Sequence, residues 1–244
     1  MPPSDDSLYS LSVLLHVYPW WVFCFKLCDF AVNYLIAALP RCNRMQMKEN
    51  TILGPGGFLD RDGTINESRG YITRVDDFAL LPHSAEAIKL FNRLGLKTVV
   101  VTNQSGVARE LLTEERLREI NGYMGKQLQK EGARLNGIYY CPHHPLYGDE
   151  NYRKDCFCRK PNPGMVFRAA AYFLINPKIS YVVGDKEEDM ELASRVEAKA
   201  ILVLTGMGQE TLQRGVKPSW VATHLLDAAR WIENDLKTVL RENP

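Results

Sequence analysis

Gly57-Phe-Leu-Asp-Arg-Asp-Gly-Thr-Ile-Asn66 is the stretch around which the chain organises itself. A short apolar approach ends on Asp60, a second carboxylate, Asp62, follows two residues later, and Gly63 turns the chain. In an open α/β sheet, ligands bind outside the carboxyl ends of the strands. Two further segments fit the same pattern. Thr98-Val-Val-Val-Thr102 runs into Asn103 and Gln104, and Ile179-Ser-Tyr-Val-Val-Gly-Asp185 ends on a third carboxylate. Each is a β-branched run that stops on a small or acidic polar residue, so three strand ends are expected to present chemistry to one place.

Outward from this stretch, apolar runs alternate with segments of helical spacing. Helices are expected from Pro82 to Gly95 with Ser84 as cap, from Thr113 with Leu117, Ile120, Met124 and Leu128 on one face, and from Pro163 through Leu174. Two more are expected from Glu187 through Leu192 and along Leu225, Ala228, Ile232 and Leu236. Further strands fall at Lys97–Val101, Ile138–Tyr140 and Ala200–Leu204. This alternation predicts an α/β fold with a mostly parallel sheet covered on both faces. Gly54-Pro-Gly-Gly57 leaves only Phe58 and Leu59 as good strand formers before Asp60, because glycine and proline weaken a ladder. A short central strand is therefore expected, in a domain spanning residues 51–244.

Charge is nearly balanced, with 30 Lys plus Arg against 29 Asp plus Glu, so no basic field invites nucleic acid. Residues 1–50 differ in character. Ser7 to Phe25 is a run of 19 residues without formal charge, and the apolar pattern resumes from Phe30 to Leu39. Three readings stay open for this extension: a helix making membrane contact through residues 7–39, a soluble packing extension, or a disordered leader. A cleaved signal peptide fits poorly, since no basic region precedes the apolar run. For the domain itself a reducing, cytoplasmic location is expected from its cysteine usage, and nothing in the sequence requires an oligomer.

The carboxylates define candidate chemistry. Asp60 can attack phosphorus to form an acyl phosphate, and Asp62 can protonate the leaving oxygen and later deprotonate water. Mg²⁺, held by Asp60, Asp62 and Asp185, would separate the carboxylate charges from those of a phosphoryl group. Thr102 and Asn103 can donate to phosphate oxygens, Lys160 can neutralise developing charge, and Asp189 can orient Lys186 or a metal-bound water. An isolated Asp-x-Asp is usually a solvated turn or a cap. The common strand-end placement of these residues carries the joint reading.

Cys141-Pro-His143 and Cys156-Phe-Cys158, with 12 residues between the pairs, supply three thiolates and one imidazole. Four such ligands suit tetrahedral Zn²⁺, which would staple a polar loop that cannot build a core. A closed ligand set points to structure rather than catalysis. His144 is a competing ligand. The staple would also fix Arg159 and Lys160, which follow Cys158 directly.

Together, Phe58-Leu-Asp-Arg-Asp-Gly-Thr-Ile-Asn66, Val101-Thr-Asn-Gln-Ser-Gly-Val-Ala-Arg109, Cys158-Arg-Lys-Pro-Asn-Pro-Gly-Met165 and Gly184-Asp-Lys-Glu-Glu-Asp189 resemble the haloacid-dehalogenase-like phosphatases. Within them the likeness is to the heptose 1,7-bisphosphate 7-phosphatases and the histidinol-phosphatases, from Phe58 to the C-terminal helix. The resemblance implies a Rossmann-like core, Asp60 as nucleophile, Asp62 as acid/base, Asp185 as magnesium ligand, Thr102 and Lys160 as phosphate ligands, and Arg159 as a substrate contact. It also matches the zinc loop. The chain departs from the family pattern at Glu110 and His83, where glycine is usual, and in the glycine-rich approach to Asp60.

Only 39 residues separate Asp62 from Thr102, which leaves no room for a large cap domain, and the interval to Lys160 is filled as well. Selectivity is therefore expected from residues 66–81 and from the zinc loop, toward a small phosphorylated metabolite. The resemblance favours the 7-phosphate of a heptose bisphosphate, with histidinol phosphate next. From another class, a catalytically impaired, membrane-associated interaction protein is the alternative.

Overall fold

The computed structural model describes residues 53–242, with side chains for 53–238. The extension expected at residues 1–50, with its three readings, lies outside the described residues. Among the described residues no helix is long and apolar enough to cross a membrane.

Among the described residues, six parallel strands form one sheet in the order β3-β2-β1-β4-β5-β6. They are β1 (Gly56–Leu59), β2 (Lys97–Asn103), β3 (Gly137–Cys141), β4 (Tyr181–Gly184), β5 (Lys199–Val203) and β6 (Trp220–Ala222). The connecting helices are α1 (Ser84–Arg93), α2 (Glu114–Lys130), α3 (Gly164–Phe173), α4 (Glu187–Arg195), α5 (Gly208–Gln213) and α6 (Leu225–Glu242). Strand order reverses between β1 and β4, the place where doubly wound sheets open a ligand crevice.

Side chains alternate across the sheet, as a period of two requires. Leu59, Val100, Tyr181, Val183, Ile201 and Val203 face one layer with the apolar stripes of α1, α2 and α6. Phe58, Val99, Val101, Cys141 and Val182 face the other, against Met165, Val166 and Ala169 of α3 and Leu192 and Ala193 of α4. The four residues expected on the inner face of α2, Leu117, Ile120, Met124 and Leu128, are all buried. Thr113 caps that helix by accepting from Arg116 N–H.

The central strand is short, as expected, with four residues, and it takes in two glycines. Gly56 and Gly57 lie fully in register with Lys97 and Thr98. A Cβ on Gly56 would stand 2.8 Å from Ile175 Cγ2, so glycine here admits the side chain that seals the start of the strand. One expectation shifts. Ser84 is the first helical residue of α1, not its cap; the cap position is His83, in the left-handed region at φ 66°. The short α5 and the edge strand β6 form without a clear sequence periodicity. Both departures from the family's glycines, His83 and Glu110 (φ 59°), fall at left-handed positions, which is the physical reason glycine suits them.

Candidate active site

Asp60 follows the last residue of β1 and is 2% exposed. Its backbone N–H donates to Val183 O, which draws the ends of β1 and β4 together. Lys160 Nζ lies 2.7 Å from Asp60 Oδ1 and 2.6 Å from Asp189 Oδ1, with all three side chains buried. The second oxygen, Asp60 Oδ2, faces Lys186 Nζ at 3.6 Å. Burial alone would raise the Asp60 carboxyl, but the charges of Lys160 and Lys186 outweigh it and hold the group well below the usual carboxylate range. For Lys160, burial opposes the charge, and Asp189 and Asp60 reverse that effect and raise it.

Asp185 completes the carboxylate group from the end of β4. Its Oδ2 accepts from Met207 N–H at 2.8 Å, whereas Oδ1 is buried without a hydrogen-bond partner. Gly63 and Gly206, both at positive φ, close on this side chain so tightly that a Cβ on either would meet Oδ2 at 2.2 Å. Burial, followed by the Asp60 charge, pushes Asp185 up to about 6. Asp60, Asp185 and Asp189 each bring a carboxylate oxygen within 4.8 Å of the others. Asp189 is already committed, through Oδ1 to Lys160 and through Oδ2 to Lys186 N–H. Burial raises it to about 7 against the pull of Lys160. Asp60 and Asp185, with one buried oxygen left orphaned, are thus the pair that fits a hard divalent cation.

Asp62, expected as a third ligand to that cation, is turned elsewhere. Its carboxylate accepts from Arg61 Nε and Nη2, Asn66 Nδ2 and Gln104 Nε2, at 2.7–3.1 Å. Arg61, only 1% exposed, also donates to Asn121 of α2 and to Gln104. Gln104 Nε2 further donates to Thr102 Oγ1 at 3.0 Å. Thr102 accepts there and keeps its own hydroxyl hydrogen for a ligand. Neither Arg61 nor Gln104 stood out in the sequence; the available signal was Asn121, a polar residue on the inward face of α2.

Asn103, expected to donate to phosphate, instead brackets Lys160. Its Oδ1 accepts from Lys160 N–H at 2.9 Å, and its Nδ2 donates to Lys160 O at 3.1 Å and to Glu188 Oε1 at 3.0 Å. Arg159, expected at the substrate, donates through Nη1 to His143 O at 3.2 Å and so is tied to the cysteine loop.

In that loop the four expected donors converge. Cys158 Sγ lies 3.3 Å from both Cys141 Sγ and Cys156 Sγ, the latter two are 3.5 Å apart, and His143 Nδ1 is 3.2 Å from Cys158 Sγ. All three cysteines are free. Edges of this length approach those of a tetrahedron of soft donors around zinc, where ligands stand about 2.0–2.3 Å from the ion. The hydrogen bond shared by Cys158 and Cys141 holds the Cys158 thiol down at about 5 and, with burial, drives Cys141 up. His144 is outside the cluster; its Nδ1 accepts from Leu146 N–H.

Sheet order and carboxylate placement are those of a haloacid-dehalogenase-like hydrolase, and a family model described as HAD-hydrolase-like matches residues 157–228. Over 182 residues the chain is 42% identical to the D-glycero-beta-D-manno-heptose-1,7-bisphosphate 7-phosphatase of Photorhabdus laumondii, covering 75% of this chain and 91% of that protein. It is 41% identical to the enzyme of the same name from Escherichia coli K12, covering 75% and 90%. A crystal structure of the D,D-heptose 1,7-bisphosphate phosphatase of B. bronchiseptica, complexed with magnesium and phosphate, superposes with a TM-score of 0.68 at 31% identity, covering 74% of this chain and 99% of that one. The Burkholderia thailandensis enzyme gives 0.54 at 30% identity, covering 72% and 96%. The chain belongs to this family of heptose-bisphosphate phosphatases within the haloacid-dehalogenase-like hydrolases.

Proposed function

We propose that the protein is a phosphomonoester hydrolase that removes the 7-phosphate of D-glycero-β-D-manno-heptose 1,7-bisphosphate through an aspartyl-phosphate intermediate. The observation that carries this reading is Asp60, a buried carboxylate kept ionised by Lys160 at 2.7 Å and standing at the strand-order reversal of the sheet. The names of the relatives support the substrate and its anomer.

An oxygen of Asp60 attacks phosphorus, and the bond to the sugar oxygen breaks. Lys160, fixed by Asp189 and Asn103, balances the charge that gathers on the phosphoryl oxygens, and the Thr102 hydroxyl donates to one of them. Asp62, entering the step in its protonated form, gives that proton to the departing oxygen and, now a carboxylate, takes a proton back from the water that hydrolyses the acyl phosphate. To do so, its carboxylate leaves the bonds from Arg61 and Gln104 that hold it in the present arrangement. Mg²⁺ bound by Asp60 and Asp185 would shield the attacking carboxylate from the phosphate charge. Zn²⁺ in the Cys141, His143, Cys156 and Cys158 set would hold the loop that carries Arg159. The phosphatase domain of this reading spans residues 51–244.

The test is phosphate release with Mg²⁺ from the heptose bisphosphate, histidinol phosphate and a panel of sugar phosphates. Release from the bisphosphate with retention of the 1-phosphate supports the proposal. A preference for histidinol phosphate would keep the mechanism and reject the substrate, and no release from any phosphomonoester by folded, metal-loaded protein would reject both.

A further inference from the structure

The carboxylate site is partly charge-compensated before any metal arrives, with two ammoniums against three carboxylates. Lys160 is shared between Asp60 and Asp189, which leaves Asp60 Oδ2 and Asp185 Oδ1 as the oxygens facing the remaining space. A second ammonium stands against both of them: Lys186 Nζ is 3.6 Å from Asp60 Oδ2 and 3.8 Å from Asp185 Oδ1. These distances are beyond a direct hydrogen bond and within strong Coulomb range. The arrangement explains how Asp185 Oδ1 can be buried without a hydrogen-bond donor. The offset its charge receives from Lys186 comes through space rather than by contact. Lys186 itself is about one-third exposed, so its ammonium has a route to water that Lys160, at 1%, lacks.

We propose that Lys186 is a resident counter-cation that stands in for the divalent metal between Asp60 and Asp185 and withdraws when the metal binds, so that it sets the metal affinity of the site. The inference rests on the reading that these two carboxylates hold Mg²⁺. Two cations cannot share the same pair of oxygens at full strength. The energy by which Lys186 stabilises the metal-free site is therefore subtracted from the binding of the ion, as reciprocal linkage requires. Lys186 acts here as a positioning residue, with no role assigned to it in bond making. Its backbone N–H, bonded to Asp189 Oδ2 at the start of α4, is untouched by a change of side chain.

The experiment is calorimetric titration of the full chain with Mg²⁺, without substrate, for the wild type, Lys186→Met, Lys186→Arg and Asp185→Asn. It is paired with thermal unfolding in EDTA and in saturating Mg²⁺. Lys186→Met is expected to bind Mg²⁺ about tenfold more tightly, within the usual range of coupling between sites. It should lower the melting temperature in EDTA and gain more from Mg²⁺ than the wild type does, whereas Lys186→Arg stays near wild type. An Mg²⁺ affinity that is unchanged or weaker in a folded Lys186→Met protein overturns the proposal while leaving the metal reading intact. Should the methionine variant fail to fold, Lys186→Gln carries the same expectation. Absence of Mg²⁺ binding by the wild type would overturn the metal reading and the proposal together, and Asp185→Asn marks that baseline.

Discussion

Two clusters of ligand-bearing side chains stand side by side in this fold and are built on opposite principles. The carboxylate cluster sits on strand ends in the middle of the sheet, and the chain supplies its own counter-charges, Lys160 and Lys186. The thiol cluster sits on a loop whose segment from His144 to Asp155 is largely exposed, with no core beneath it. The first is held in shape by the sheet whether or not a metal is present. The second is held by its four converging donors and a few hydrogen bonds, among them Lys154 N–H to His144 O and the Tyr152 hydroxyl to Glu114, so an ion there would add far more to its order than one in the first. Proximity of ligands alone therefore does not say whether a metal does chemistry or replaces a core. The surrounding packing does.

The sharpest way to break this comparison is to change one member of each cluster. Asp60→Asn should abolish phosphate release, by at least about a thousandfold as expected for loss of a nucleophile, while zinc content by elemental analysis stays at the wild-type value. Residual turnover near wild type would place the nucleophile elsewhere. Cys156→Ser should do the reverse. Bound zinc should fall away and amide exchange should rise across residues 144–155, while kcat/KM drops only about tenfold, because Asn103 and Asp189 still hold Lys160. An unchanged zinc stoichiometry would remove Cys156 from the ligand set.

A pH experiment sharpens the point that the carboxylates are confined by the fold. Burial raises Asp185 to about 6 from its ordinary value of 3.8, so its stabilising contribution is complete below about pH 4 and is lost as pH rises through 6. In EDTA at pH 8 the ionised group then costs up to about 3 kcal/mol, at 1.36 kcal/mol per pKa unit. Asp185→Asn is expected to melt higher than the wild type under those conditions, with the difference vanishing near pH 4. A pH-independent difference would mean that the asparagine acts through packing. The smallest effect belongs to the two left-handed positions outside both clusters. Glu110→Gly and His83→Gly should each stabilise the protein by about 1 kcal/mol in urea unfolding, since a left-handed backbone burdens any residue with a Cβ.

How much of this was legible in the sequence follows the same division between local and tertiary causes. The strand-end carboxylates, the stripe along α2 and the paired Cys-x-His and Cys-x-Cys were readable because each is set by local periodicity or short spacing. The full length of β1 was not, because Gly56 belongs in the strand only once Ile175 is packed against it. The bracket that Asn103 forms on Lys160 and the buried Arg61 network were hidden for the same reason. Their partners are 57 and 60 residues away, and nothing local distinguishes a bracketing amide from a phosphate-binding one. The sequence suggests Asp62 both as acid/base and as a ligand to the cation, and in the structure its oxygens accept from Arg61, Asn66 and Gln104.

The Asn103 bracket also bears on motion. Because both the N–H and the C=O of Lys160 are bonded to a side chain at the end of β2, the lysine travels with the sheet and with Thr102, not with the loop that precedes it in sequence. Lys160 and Thr102 therefore keep their spacing by way of Asn103 rather than by the course of the loop. The Asn103 bracket thus makes one rigid piece of two groups that stand far apart in sequence.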